Sequence, residues 1–292
     1  MASWLPFGTV RASASARRAA LASAPIERID DPEQAPTFIA GGQQTDGALP
    51  VATPRFDAAV YCSRGRGYAR YNEDAAGLFA DEHGRLYAWV LDQAGGLGGK
   101  VRGQGSQVAA NHIFDACQRI AREDSQALEV IEEALRTAFD RAHRVLVQRG
   151  EGEVTTAIAA VLEGEGLSVL CSGDSAALVY GTDGKVRVQT RLQELDGINQ
   201  GCLAHAIGLV PEGSAPECYR WTLSPGEWLI AATDGLLDAG LEDAAIAKIL
   251  AQAPSAEDAV NRLCTLVLRR MGTFRAKPDN LTVLAVRANR SA

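Results

Sequence analysis

Acidic residues stand at the ends of several apolar, strand-like segments of this 292-residue chain. Glu73 and Asp74 precede the segment AAGLFA, and Asp92 follows LYAWVL. Asp234 follows EWLIAAT, and Asp279 precedes LTVLAV. Strand ends hold side chains in a fixed geometry at the rim of a sheet, where gathered carboxylates repel one another unless a cation lies between them. Because hard divalent ions such as Mg²⁺ and Mn²⁺ prefer oxygen ligands, this pattern predicts a carboxylate–metal site.

The composition limits the classes of protein to which the chain can belong. Hydrophobic residues make up 47% and charged residues 22%, which is typical of a soluble globular protein with a full core. The 36 acidic and 29 basic residues give a net charge of −7, which argues against nucleic acid or an anionic membrane as a partner. No segment reaches the roughly 20 apolar residues of a transmembrane helix.

The cysteines and histidines do not form a recognisable site. The six cysteines are scattered without a CxxC pair, and the four histidines are not paired at metal-ligand spacing. A disulfide framework and a zinc site are therefore not expected. Unpaired cysteines in apolar segments indicate a reducing compartment, so we expect a cytoplasmic protein.

The hydrophobic patterns predict a layered α+β fold. Short apolar strands occur in antiparallel clusters, and two pairs of amphipathic helices separate these clusters. The predicted helices cover residues 104–122, 126–148, 241–252 and 256–271. The predicted strands cover residues 56–63, 75–80, 86–91, 155–162, 167–172, 177–181, 185–190 and 281–286, with two more in YRWTL and EWLIAAT.

Residues 1–53 are predicted to form a disordered or extended N-terminal leader. They carry five of the 11 prolines and few large apolar residues. The first 26 residues lack acids and are rich in Ala, Ser and Arg, a composition shared by organellar transit peptides and by disordered bacterial leaders. The folded domain is expected to cover residues 54–292.

The glycine-rich segment AGGLGGK does not match a phosphate-binding loop. Ala94 stands where that motif requires its first glycine, and Val101 stands where it requires a hydroxyl. The glycines indicate either close backbone packing beside a ligand or a plain flexible loop.

Six segments, in order, resemble a known enzyme family. They are RYNEDA (70–75), VLDQAGG (90–96), TTA (155–157), SGDS (172–175), AATDGLLD (231–238) and PDNLTVLAV (278–286). Together they resemble the metal-dependent serine/threonine protein phosphatases of type 2C, in a compact bacterial-like form. The resemblance implies a four-layer α-β-β-α sandwich of two antiparallel sheets flanked by paired helices, with two Mn²⁺ or Mg²⁺ ions at one end.

The same resemblance implies a set of metal ligands. Asp92 would bridge the two ions, and the backbone carbonyl of Gln93, where relatives usually have glycine, would complete one metal's shell. Asp234 and Asp279 would hold the other ion. These three aspartates would therefore also be the catalytic residues.

The remaining implied residues act around this centre. Glu73 would act through metal-bound water with Asp74 supporting it, and Asp174 would match an acid that helps to bind a third, weaker ion in relatives. The phosphate-binding arginine of the family normally lies where this chain has Ala69. Arg70 is one residue late, so it can offset phosphoryl charge only if the backbone bulges.

The resemblance implies that the chain hydrolyses phosphoserine and phosphothreonine by attack of a metal-activated water. Its partners would be phosphoproteins that a Ser/Thr kinase modifies. Two alternatives stay open on the sequence. The displaced arginine and the altered glycine favour a weak or inactive relative that binds phosphoproteins or a partner. An unrelated acidic-site hydrolase such as a nuclease is disfavoured by the net negative charge.

Overall fold

The structure is a computed structural model that describes most of the chain. It covers residues 36–40, 43–66, 71–94, 104–123, 127–196, 202–210, 215–273 and 275–290. Arg70, the glycine-rich residues 95–103 and the first 35 residues of the expected leader lie outside these ranges.

In the described ranges, two six-stranded antiparallel sheets form the centre of the fold. The first has the order β1-β4-β5-β6-β7-β10, and the second has the order β2-β3-β12-β11-β8-β9. The strands are β1 (Thr37–Ile39), β2 (Leu49–Ala52), β3 (Phe56–Ser63), β4 (Ala75–Ala80), β5 (Leu86–Leu91), β6 (Ala157–Glu163), β7 (Gly166–Ser172), β8 (Ala176–Tyr180), β9 (Val186–Gln189), β10 (Glu217–Thr222), β11 (Trp228–Ala232) and β12 (Leu281–Ala288).

Helices cover the outer face of each sheet. The first sheet is covered by α1 (Gln104–Ala121) and α2 (Leu128–Arg149), and the second by α4 (Asp243–Gln252) and α5 (Ala256–Gly272). A single turn, α3 (Asp234–Leu237), follows β11. The α+β sandwich predicted from the sequence is therefore confirmed, and all four predicted long helices are present within two residues of their expected ends.

The burial of the strands explains why their sequences are apolar throughout. Every residue of β5 is buried. Ala88 and Val90 point into the core between the sheets, whereas Tyr87, Trp89 and Leu91 point towards α1 and α2. Since side chains alternate along a strand, a strand in the middle of four layers needs an apolar residue at every position.

Two strands extend the folded domain N-terminal to its expected boundary. β1 pairs with β4 at one edge, and β2 pairs with β3 in the other sheet. The residues of β1 and β2 therefore belong to the folded domain, so the predicted start at residue 54 is too late. The sequence hides this because both strands are very short, and β2 contains a proline, which edge strands tolerate.

None of the helices in the described ranges is long and apolar enough to cross a membrane. Each of the six cysteines is a free thiol, and Cys62, Cys117, Cys171 and Cys264 are buried.

We expect residues 36–53 to contribute substantially to stability. Ile39 is buried between the sheets, and the Phe38 ring lies 5.3 Å from that of Phe114. The Gln43 carbonyl also accepts a 2.6 Å hydrogen bond from Asn72. Burying one large apolar side chain stabilises by about 1.5–3 kcal/mol, so a chain beginning at residue 54 should lose about 3 kcal/mol or more relative to one beginning at residue 36. Urea unfolding of the two chains measures this difference, and equal midpoints would contradict the assignment.

Candidate metal centre

The acidic positions predicted from the sequence lie at one end of the sandwich. The start of β4 pairs with the end of β5, where Ala75 lies opposite Leu91. The end of β11 pairs with the start of β12, and the loop between β7 and β8 reaches the same edge. We call the five aspartates on these strand ends the acidic cluster: Asp74, Asp92, Asp174, Asp234 and Asp279.

Asp74 links the two sheets. It is fully buried next to β4 of the first sheet. Its Oδ2 atom accepts hydrogen bonds from Thr282 Oγ1 at 2.7 Å and Thr233 Oγ1 at 3.2 Å, both of which belong to the second sheet's strand ends. Its Oδ1 atom is buried without a hydrogen-bond partner. A buried carboxylate normally satisfies both oxygens, so this orphan oxygen indicates a position built for a further contact.

The backbone of Asp92 is fixed by two threonines of the TTA segment. Its carbonyl accepts hydrogen bonds from Thr156 N and Thr155 Oγ1, both at 2.8 Å. Its N–H donates to Thr156 Oγ1 at 3.1 Å. Both threonines are buried. The main chain of Asp92 is therefore fixed, and its side chain lies within electrostatic reach of the other four aspartates of the cluster.

A close backbone approach brings Asp234 towards Asp279. A Cβ atom on Gly235 would lie 1.9 Å from the carbonyl oxygen of Asn280, a distance that no real side chain tolerates. Only glycine lets the turn after β11 touch the chain that enters β12. This contact sets the separation of the two aspartates that flank it.

The side chain of Asn280 fixes the loops around Glu73. Its Nδ2 donates to the carbonyls of Arg64 at 3.2 Å and Tyr71 at 3.0 Å. Its Oδ1 accepts from Glu73 N at 2.8 Å. One buried amide thus ties three segments together and places the Glu73 main chain beside the acidic cluster.

Gln93 has a structural role that the sequence did not reveal. Its side-chain Oε1 accepts a 2.7 Å hydrogen bond from Gly105 N in the first turn of α1. The first N–H groups of a helix have no partner within the helix, so Gln93 satisfies one of them. A glycine at position 93 has no side chain and could not make this bond.

Asp174 lies on a tight turn between β7 and β8. Gly173 has φ of +105°, and a Cβ atom there would lie 2.7 Å from the side chain of Thr156. The Gly173 N–H donates to Gln193 Oε1 at 2.9 Å. The glycine lets this turn pack against Thr156, which helps to hold Asp92, and this brings Asp174 to the same end of the sandwich.

Burial and neighbouring charges raise the pKa of most of the acidic cluster. Desolvation, reinforced by the charge of Asp234, raises the pKa of Asp174 to about 6. Desolvation followed by the charges of neighbouring aspartates also holds the pKa values of Asp74, Asp92 and Asp279 above their ordinary values. These carboxylates therefore lie close enough to oppose one another's ionisation.

A lysine that the sequence analysis did not single out lies in this cluster. The Lys277 Nζ atom lies 2.8 Å from Asp279 Oδ2, 3.0 Å from Asp234 Oδ2 and 3.8 Å from Asp238 Oδ2. Desolvation alone would lower the pKa of Lys277. The hydrogen bond to Asp279 and the charge of Asp234 outweigh this effect and raise that pKa. The ammonium group therefore bridges two of the predicted metal ligands.

The cluster does not form a closed coordination shell. In the parts of the chain that the structure describes, no three acidic, histidine or cysteine side chains are grouped closely enough to hold one ion. Asp92, Asp234 and Asp279 lie within electrostatic reach of one another, and their roles as ligands of one metal centre stay predictions. The donor chemistry still fits a hard divalent cation, because the cluster presents carboxylate oxygens and the orphan Asp74 Oδ1.

The acids could be identified from the sequence, but the residues that position them could not. Asn280 and the threonines of TTA lie inside the motifs, but nothing in one sequence shows their hydrogen bonds. Lys277 could have been noticed, because it is a cation only two residues before a predicted ligand. The metal-binding roles of the seven predicted residues and the phosphate-binding role of Arg70 stay predictions.

We expect Gly235→Ala to separate Asp234 from Asp279. Overpacking a tight site costs about 1–3 kcal/mol, so the free energy of unfolding should fall by about 2 kcal/mol in urea. The matched control is Gly47→Ala, because a Cβ there would lie no closer than 3.7 Å to a neighbouring atom. Equal losses in the two variants would contradict the role given to Gly235.

Asp74 should make the metal-free protein less stable as the pH rises. Its pKa is raised by folding, so the unfolded chain ionises first, near pH 4, and the free energy of unfolding falls from there towards the folded pKa. Asp74→Asn should therefore flatten the decline between about pH 4 and pH 8 by at least ~1 kcal/mol in EDTA. Asp115→Asn, on the exposed side of α1, should leave the slope unchanged. An unchanged slope in the Asp74 variant would exclude the effect.

Comparisons with known proteins agree with this architecture. The family model described as Stage II sporulation protein E (SpoIIE) matches residues 84–289, which is more than half of the chain. A search of the curated proteins finds no match.

Solved structures with the same fold include bacterial serine/threonine phosphatases. Stp1 from Staphylococcus aureus superposes with a TM-score of 0.69 at 19% identity, over 83% of this chain and 98% of that one. PppA, a key regulatory component of T6SS in Pseudomonas aeruginosa, gives 0.64 at 23% identity, over 82% and 100%. The catalytic domain of the phosphatase PstP, in complex with two manganese ions, gives 0.62 at 22% identity, over 81% and 99%. The chain therefore belongs to the Stage II sporulation protein E family and has the fold of the type 2C phosphatases.

Proposed function

We propose that this chain is a metal-dependent phosphoserine/phosphothreonine protein phosphatase. The observation that carries the proposal is the acidic cluster, which gathers carboxylates from both sheets at one end of a type 2C phosphatase fold. Gathering like charges is unfavourable, so a fold that fixes them with threonines, an asparagine and tight glycines indicates a functional site. The match to a type 2C structure that contains two manganese ions supports the same conclusion.

In this proposal the acidic cluster holds two Mn²⁺ or Mg²⁺ ions. Asp92 and the Gln93 carbonyl would contact one ion, and Asp92, Asp234 and Asp279 the other, with Asp174 available for a weaker third. Glu73 and Asp74 would support them from the start of β4. Bound there, such ions lower the pKa of a water molecule and oppose the negative charge of the phosphoryl oxygens.

The chain's own residues would position and orient the reacting groups. Hydrogen bonds with Thr155 and Thr156 fix the backbone of Asp92, and Asn280 fixes the backbone of Glu73. The main chains of these two proposed ligands therefore have little freedom to move. Preorganised ligands reduce the cost of binding a charged substrate. Arg70 would bind the phosphoryl oxygens, and Glu73 would orient the attacking water.

The substrates would be phosphoproteins modified by a Ser/Thr kinase in the cytoplasm. The structural relatives are serine/threonine phosphatases of bacteria, which supports this substrate class. The net charge of −7 makes a nucleic-acid substrate less favourable, because phosphate backbones are bound by positive surfaces.

One observation favours a second candidate function, a phosphatase-fold protein with weak or no activity that binds a partner. The Lys277 ammonium lies between Asp234 and Asp279, and no three acids in the described residues are grouped to hold an ion. A metal titration by calorimetry separates the two candidates, since a folded protein that binds no Mn²⁺ fits only the second.

The proposal predicts Mn²⁺-dependent release of phosphate from a phosphothreonine peptide, with a phosphotyrosine peptide cleaved much more slowly. Asp92→Asn should reduce kcat by at least about a hundredfold, because removing one charge-stabilising group costs about that much in related chemistry. Asp115→Asn is the matched control, since this carboxylate lies on the exposed face of α1, and it should retain full activity. Undiminished turnover by Asp92→Asn, or in excess EDTA, would contradict a metal-dependent mechanism.

A further inference from the structure

Lys277 is placed to compete with a divalent ion. It lies in the segment between α5 and β12, two residues before Asp279. Its Nζ atom contacts the Oδ2 atoms of Asp279 at 2.8 Å and Asp234 at 3.0 Å. These distances are those of charge-assisted hydrogen bonds. The two aspartates come from different segments, so the ammonium group joins the end of β11 to the start of β12.

The ammonium group and a metal ion would use the same oxygen atoms. Mg²⁺ binds carboxylate oxygens at about 2.0–2.1 Å and requires a defined arrangement of ligands around it. A carboxylate oxygen directed at an ammonium group 2.8 Å away is not free for such a bond in the same position. A second cation between the two aspartates would also be repelled by the lysine charge. Lys277 and a divalent ion therefore compete for the Oδ2 atoms of Asp234 and Asp279.

The exposure of Lys277 makes this competition reversible. Its side chain is 55% exposed, whereas those of Asp234 and Asp279 are 22% and 27% exposed. The head group can therefore leave the aspartates for water by rotation of its own stem. Because half-exposed ion pairs are weak, the competition is expected to raise the metal concentration needed for loading rather than to block it.

We propose that Lys277 is a built-in counter-ion that stabilises the metal-free protein and competes with the divalent ion for Asp234 and Asp279. This inference rests on the proposed function, because it requires these two aspartates to bind the ion. Its consequence is that metal availability controls the site: the protein stays folded with the lysine bridging the aspartates, and a rise in free Mn²⁺ displaces the lysine.

The test measures two properties of the full chain, its affinity for Mn²⁺ and its melting temperature in EDTA. Removing the lysine charge should raise the first and lower the second. Lys277→Met removes the charge and keeps a chain of similar length. We expect it to bind Mn²⁺ at least about fivefold more tightly in calorimetry of EDTA-stripped protein, corresponding to roughly 1 kcal/mol. In EDTA it should melt about 2–4 °C lower, because the repulsion between the aspartates is no longer offset. Lys248→Met, an exposed lysine on α4, should match the wild type in both.

The possible outcomes distinguish the role inferred for Lys277 from the proposed function. Tighter Mn²⁺ binding by Lys277→Met, together with a lower melting temperature in EDTA, supports the inference. Mn²⁺ binding by Lys277→Met but not by the wild type also supports it. Unchanged or weaker binding by Lys277→Met, beside normal binding by the wild type, overturns the inference and leaves the proposed function intact. No Mn²⁺ binding by any folded variant overturns both. If Lys277→Met does not fold, Lys277→Gln replaces it, and Lys277→Arg, which keeps the charge, should bind Mn²⁺ like the wild type.

Discussion

Electrostatic repulsion within the acidic cluster determines how this end of the sandwich is built. Five aspartates from both sheets reach one end of the sandwich, and burial and neighbouring carboxylates raise the pKa values of Asp74, Asp92, Asp174 and Asp279. A random surface would spread such charges apart. Here Thr233 and Thr282, at strand ends of the second sheet, donate hydrogen bonds to Asp74, which precedes β4 of the first sheet. The carboxylate of Asp74 therefore links the two sheets at this end. The framework that holds the sandwich together at this end is therefore the same framework that concentrates its negative charge.

The chain offsets this charge in two ways. Hydroxyl and amide donors fix the backbone and satisfy individual oxygens, as the threonines beside Asp92 do. The Lys277 ammonium group supplies positive charge where Asp234 and Asp279 meet. Neither device satisfies every oxygen, since Asp74 Oδ1 remains buried without a partner. A divalent ion would oppose the repulsion more strongly than a lysine can, which is the physical basis for proposing a metal-dependent phosphatase in this family.

The order of strands and helices was predictable because it follows from local patterns of apolar residues and turn residues. Helix α5 shows apolar residues at helical spacing after a Ser255 cap, and the hairpin of β4 and β5 surrounds a turn with Asp and Gly. The positions of the acidic cluster were also predictable, because its aspartates lie next to the ends of predicted strands. Strands β1 and β2 were missed because three or four residues carry almost no periodic signal. The bridge made by Lys277 was missed because it depends on a contact between residues 43 positions apart. The contact of Gly235 with Asn280 likewise requires the folded chain.

The central claim is that Asp92, Asp234 and Asp279 bind divalent ions once these are supplied. Anomalous X-ray scattering from a crystal of the full chain grown with Mn²⁺ tests it most directly. The account predicts manganese in direct contact with all three carboxylates, with the Lys277 Nζ atom moved away from Asp234 and Asp279. A well-ordered structure in which no manganese touches these aspartates, and the lysine still bridges two of them, would contradict the account.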